Sequence, residues 1–335
     1  MKAYFIERYG KGTPLIHGDQ PEPELRDNDL LVEIRAASVN QLDAKIRTGE
    51  FRMVIPHKMP LILGHDLAGV VLKTGPRVTG FKPGDEVYGC LPVNRIGGFA
   101  ERVAVDASFF ARKPANLTMV ETASLPVVAL TAWQSFVEIA KLKPGQRVFI
   151  QAGSGGVGTV AIQLARHIGA EVATTAGAAR ADTLKALGAN IVIDYRKDDF
   201  ARVLKDYDVA LMSQDEASLK KAIGILKPGA TAISISGPPD TAFARQAGLN
   251  PLLRLVMWGL SYRVRAAARK AGVTYAFLFM QPGGEMLRKL NPMLEDGTIR
   301  PVMDKVFPFA QTPEAIAYVE TGRAKGKVVV EVKPV

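Results

Sequence analysis

VFIQAGSGGVG, residues 148–158, decides the reading of the chain. A short apolar run breaks into glycines and resumes as TVAIQLARHIGA (159–170) with helical spacing, so the pattern is strand, tight turn, helix. Gly153, Gly155, Gly156 and Gly158, with Ser154 and Val157 between them, leave backbone N–H groups unshielded at a helix N-terminus. Orphan donors and the helix dipole together favour a phosphate there. A tight turn with no ligand has the same spacing, and context separates the two readings: a second strand at 171–175 arrives where a βαβ unit requires it.

Working outward, apolar runs at 148–151, 171–175, 191–194, 208–212 and 231–236 alternate with helix-length segments at 159–168, 180–187 and 216–226. Gly188 and the Lys227-Pro228-Gly229 turn close two of those helices. Such alternation predicts an α/β unit with a doubly wound parallel sheet and its ligand at the carboxyl ends of the strands. A further strand is expected at 275–280, after a segment at 252–270 that is apolar early and basic late. That segment reads as a helix with one buried face, a membrane-surface anchor, or a wall of a substrate pocket.

Residues 1–125 read as β-rich, with strands at 30–39 and 67–73 and turns at Gly75-Pro76, Gly84-Asp85 and Gly97-Gly98. Thr118 with Glu121 three residues on is a capping-box signature, and a helix is expected at 130–142. The tail has strand patterns at 304–308 and 327–332 around a helix at 313–321, expected to return to the β-rich domain. The expected division is therefore 1–125, then a nucleotide-binding domain at 126–275, then 276–335, which holds the end of that domain and the return.

Composition narrows the classes. At 335 residues with 47% hydrophobic and 23% charged content, the chain is ordinary for two globular domains, and no apolar run approaches a membrane span. Stable membrane insertion is not expected, and the charged start MKAYFIERYG does not read as a signal peptide, so the expected location is cytoplasmic. The lone Cys90 excludes an intrachain disulfide and any multi-cysteine zinc cluster. The net charge of +10 comes from scattered residues with little aromatic interleaving, which does not indicate nucleic acid.

The chain resembles the medium-chain dehydrogenase/reductase superfamily, and within it the zinc-independent quinone oxidoreductase and enone reductase branch. Six stretches carry the resemblance in the family's order: Ser38-Val39-Asn40 with Asp43, GHDLAGVV at 64–71, FKPGDEV at 81–87, GFAE at 98–101, the glycine turn at 152–158, and GRAKGKV at 322–328. The resemblance implies a GroES-like catalytic domain split by a Rossmann domain, often assembled as a homodimer. In the family's zinc enzymes the catalytic metal takes three protein ligands. Here Asn40 stands where the first, a cysteine, is expected, His65 is retained, and the apolar Pro126-Val127-Val128-Ala129 supplies nothing at the third, so no metal is expected.

For the cofactor, NAD-selective sites place a carboxylate at the end of the second strand, whereas this strand ends Ala173-Thr174-Thr175-Ala176-Gly177 with Arg180 following. NADPH is the expected cofactor. Thr175, Arg180 and Tyr195, the last by resemblance, are the candidates for its 2′-phosphate, with Arg180 equally readable as a solvated first-turn residue. By resemblance Thr131 lies near the nicotinamide. Without a Lewis acid the fitting chemistry is hydride transfer to a polarised acceptor, a quinone or an α,β-unsaturated carbonyl of hydrophobic character. By resemblance Asn40, at the position of the missing metal ligand, is the best-placed polar group, its amide donating either to the carbonyl or to the ribose. Asp43 and Asp66, with Lys45, are expected to form a polar cluster that either staples the domain or relays a proton. Two other readings remain: a different carbonyl or alcohol oxidoreductase on the same scaffold, and a non-enzymatic NADPH-binding redox sensor.

Overall fold

Alternation in the middle of the chain builds one six-stranded, wholly parallel sheet. In the computed structural model, which describes residues Met1–Pro334 apart from the side chain of Gln246, its strands run Arg147–Ile150, Glu171–Ala176, Ile191–Asp194, Tyr207–Met212, Leu226–Ser234 and Thr274–Phe277. Numbered along the chain, their spatial order is 3-2-1-4-5-6. This is the dinucleotide-binding order, whose crevice opens where the winding reverses, between the first and fourth strands. Gln151 fixes that point: its side-chain carbonyl accepts from the amides of Ser213 and Gln214 (both 3.1 Å), and its amide donates to Gln214 Oε1 (3.1 Å). Beneath, Phe149, Tyr207, Leu219 and Ile223 form the core with Val264 and Ala268.

The chain divides into two compact units, 131–280 and a second made of 1–130 with 281–335. The second unit is β-rich. Its seven-stranded sheet is centred on the long strand Asp29–Val39, which pairs antiparallel with Asp66–Thr74, Arg102–Asp106 and the tail strand Lys327–Glu331. The tail strand therefore belongs to this sheet. The tail helix Thr312–Glu320 adds Ala315, Ile316 and Val319 to a core containing Ile34, Leu67, Phe99 and Phe110. Each such aliphatic side chain, once buried, contributes roughly 1.5–3 kcal/mol.

Local signals decide where elements begin. Thr118 caps Met119–Ala123 in a reciprocal box, its hydroxyl accepting from the Glu121 amide (3.2 Å) while Glu121 accepts from the Thr118 amide (2.9 Å). The helix expected at 130–142 instead starts at Pro126, where a missing N–H costs nothing, and ends at Trp133. It continues as a wider π-helical stretch, Gln134–Ile139, a geometry frequent at functional sites. The segment 252–270 is two helices, Pro251–Leu260 and Tyr262–Lys270. They break at Ser261, whose hydroxyl bonds back to the Met257 carbonyl (2.8 Å). Only the second has a buried face; the first buries no residue, so of the three readings the helix with one buried face describes Tyr262–Lys270 alone. Among the described residues no helix is long and apolar enough to cross a membrane.

Candidate active site

In the β-rich unit the candidate residues meet because three strand ends are in register. Ser38 is paired with Asp66, and Val39 with Val328, so the next residues on two strands, Asn40 and Lys327, arrive side by side. The Lys327 ammonium donates to Asn40 Oδ1 (2.6 Å) and lies 3.2 Å from Asp66 Oδ2. Asn40 Nδ2 donates to the same Asp66 oxygen (2.9 Å), as does the Ser38 hydroxyl (2.8 Å), while Asp66 Oδ1 accepts from the Val127 amide (2.8 Å). All four side chains are buried. An ammonium only donates and an ionised carboxylate only accepts, so the amide of Asn40 has one orientation. Its second N–H bonds to no described residue.

Asn40 is the N-cap of the adjoining helix, Gln41–Thr48, but its side chain is turned to the cluster and makes no capping hydrogen bond. The Asp43 carboxylate accepts from the Asn40 backbone amide (2.8 Å) through Oδ2 and faces His65 Nδ1 (2.6 Å) through Oδ1. With Nδ1 donating to that carboxylate, His65 Nε2 is buried without a hydrogen-bond partner. Lys45 does not join the cluster. Two positions beyond Asp43, it lies about 200° around the helix and reaches solvent, 3.9 Å from Glu50. The buried cation is Lys327, which sequence reasoning passed over inside GRAKGKV; its only signal was its place at the head of the continuous β-branched run KVVVE. Cys90, paired with Asp66 in the sheet, is fully buried; burial pushes its thiol pKa up, and the Asp66 and Asp43 carboxylates push it further.

In the nucleotide unit, the glycine turn follows the first strand and Gly155 caps the helix Gly156–Ile168. Gly153 and Gly158 answer to packing. A Cβ on Gly153 would lie 2.2 Å from Thr174 Oγ1, and one on Gly158 would lie 2.5 Å from the Ala152 carbonyl oxygen. Gly155 differs: a Cβ there would meet nothing nearer than that oxygen, at 3.4 Å, an ordinary van der Waals contact. No side chain caps the helix, so its first amides are left to a ligand, which makes this turn a fitting cradle for a pyrophosphate. Ser154, Gly156 and Val157 are half-buried around it.

Thr175 serves the turn. It is buried, its hydroxyl accepts from the Ala152 amide (3.0 Å), and its carbonyl accepts from Gly153 (3.0 Å). The turn is held against the second strand in this way, with Ala152 in the left-handed region at φ 55°. Arg180 ends a short 3-10 turn, Ala178–Arg180, half-buried. Tyr195 follows the third strand and is 59% exposed. Beside them is a residue the sequence reading missed: the Arg196 guanidinium lies over the Tyr195 ring (5.5 Å), and its Nη1 would be 3.7 Å from a Cβ built on Gly177. A cation thus stands at the end of the second strand, where an NAD site has a carboxylate. Thr131 is buried in the helix Pro126–Trp133, and its carbonyl accepts from Ser135 Oγ (2.7 Å) where the π-helical stretch begins.

Known proteins carry the same architecture. An alcohol dehydrogenase GroES-like domain model matches residues 26–115, and a zinc-binding dehydrogenase model matches 187–330. A 2-methylene-furan-3-one reductase of Solanum lycopersicum is 34% identical over 348 residues, covering all of this chain and 80% of that protein. The chain belongs to the medium-chain dehydrogenase/reductase family, in its quinone oxidoreductase and enone reductase branch. A chloroplastic NADPH-dependent alkenal/one oxidoreductase of Arabidopsis thaliana is 31% identical, over 98% of this chain and 79% of its own length. Among solved structures, the quinone oxidoreductase from Coxiella burnetii superposes with a TM-score of 0.87 at 30% identity, covering 99% of each chain.

Proposed function

We propose that the protein is a zinc-independent, NADPH-dependent reductase of quinones or α,β-unsaturated carbonyls. The observation that carries this reading is the amide of Asn40, locked between Lys327 and Asp66 with one N–H left to give. NADPH, when bound, supplies a hydride. The glycine turn and the open amides at the start of the helix Gly156–Ile168 would hold its pyrophosphate, and Arg196, Arg180 and Tyr195 would meet the 2′-phosphate. As negative charge collects on the acceptor oxygen, the free N–H of Asn40 donates to it, and preorganisation makes that donor effective because it need not reorient. The enolate or quinol anion then takes its proton from solvent.

Zinc does not fit these residues. His65 Nε2 is a lone available nitrogen, and no three His, Cys, Asp or Glu side chains among the described residues are grouped to hold a metal. An ammonium already stands 3.2 Å from Asp66, and a divalent cation there would face its repulsion. Two features support the acceptor class, the relatives' enone, alkenal and quinone chemistry and a site able to stabilise an anion without a metal, while the cation at the second strand supports NADPH. The test is NADPH oxidation against a naphthoquinone, 2-alkenals and saturated aldehydes, with metal analysis of the same sample. Turnover confined to saturated carbonyls, or stoichiometric zinc, would overturn the reading.

A further inference from the structure

In the helix Pro251–Leu260 of the nucleotide unit, sequence and surroundings disagree. Its composition, PLLRLVMWGL, is that of a core helix, yet Leu252 is 70% exposed, Leu255 62% and Trp258 46%, and Val256, Leu260 and Tyr262 are exposed with them. It is not frayed. Pro251 occupies its first turn, Asn250 caps it by accepting from the Leu253 amide (2.9 Å), and Arg265 ties its far end through the Trp258 carbonyl (2.7 Å) and Ser261 Oγ (3.0 Å). The next helix is anchored in the core by Val264 and Ala268, so the apolar helix is held outward from a fixed base.

Charge says what covers it. Between Thr241 and Gly284 the sequence has six cations, Arg245, Arg254, Arg263, Arg265, Arg269 and Lys270, and no Asp or Glu at all. None of the six pairs with a carboxylate among the described residues, and Arg245, Arg254, Arg263, Arg269 and Lys270 are exposed. Two copies meeting through this segment would bring like charges together with no carboxylate from 241–284 to offset them. An anionic bilayer accepts both parts at once. Leucine, tryptophan and tyrosine side chains enter the boundary between headgroups and acyl chains while arginines reach lipid phosphates.

We infer that the helix pair 251–270 docks the protein reversibly on an anionic phospholipid surface, lying in the interface rather than spanning it. The helix Pro251–Leu260 is ten residues long, half of what a span requires. Each cation near such a surface contributes about five-fold in partitioning, and the contribution fades as salt screens it.

The full chain is tested by co-sedimentation with phosphatidylcholine vesicles made with and without phosphatidylglycerol. Binding is expected only with phosphatidylglycerol and only at low ionic strength, with a blue shift in tryptophan emission that Trp258→Phe removes while Trp133 remains. The double variant Arg254→Gln/Arg263→Gln should partition about 25-fold more weakly. Leu255→Asp should abolish binding at an unchanged melting temperature, because its side chain faces solvent. Failure to bind phosphatidylglycerol vesicles at low salt would overturn the inference, as would equal binding to neutral vesicles. Light scattering in which Leu255→Asp converts a dimer to a monomer would assign the face to a second copy instead.

Discussion

Around Asn40, side chains from neighbouring strand ends close nearly every polar valence on one another, whereas at 153–158 the chain leaves backbone donors open by having almost no side chains. The first arrangement is held by buried charge, and its geometry and stability cannot be separated. The second has two glycines that serve packing and one, Gly155, where a Cβ would make only an ordinary contact, so folding and ligand affinity can be changed independently there. Substitutions should therefore behave differently at the two places.

The largest effect belongs to the closed site. Lys327→Met leaves the buried Asp66 carboxylate with neutral donors only, and breaking a buried pair from one side costs about 3–5 kcal/mol. A melting temperature within a few degrees of the parent would show that the cluster does not stabilise the unit. Asn40→Leu removes the free N–H, and kcat/KM for an enone should fall about a hundredfold, the usual loss for one oxyanion donor, while NADPH affinity is retained. An unchanged kcat/KM would move the acceptor away from Asn40. At the open site, Gly158→Ala forces a Cβ against backbone, with overpacking of about 1–3 kcal/mol visible in both melting and NADPH titration. Gly155→Ala should weaken NADPH at an unchanged melting temperature; equal losses in both would erase the distinction between the two glycines. The smallest effect is Thr175→Val, which strands the Ala152 amide at a cost of about 1–3 kcal/mol if that amide stays dry and less if water reaches it.

Much of the fold was legible because its signals are local. The glycine turn, the Thr118 capping box and the alternating strands need only a few consecutive residues to declare themselves. The cluster was half legible. Asn40, Asp43 and Asp66 stood out as polar residues in recognisable motifs, but Lys327 looks like any surface lysine until strand register places it beside Asn40. Lys45 misled for the converse reason, since helical rotation turns it away from its neighbour two residues before. Arg196 becomes visible only when the ends of the second and third strands are adjacent. The segment holding the helix Pro251–Leu260 was left with three readings because apolar periodicity reports a preference for leaving water and does not say which surface accepts the residues.

The bond between Lys327 and Asn40 joins residues 287 apart in the chain. On a ribosome, synthesis runs from the amino end, so the nucleotide unit at 131–280 is complete, and free to fold, before the strand that supplies the ammonium exists. Until that strand emerges, Asp66 has no cation and the long strand Asp29–Val39 has an unpaired edge. The nascent β-rich unit thus waits with an open sheet border, a template for wrong pairing. Closing it comes after the nucleotide unit is made, and it completes the sheet and the cluster around Asn40 together.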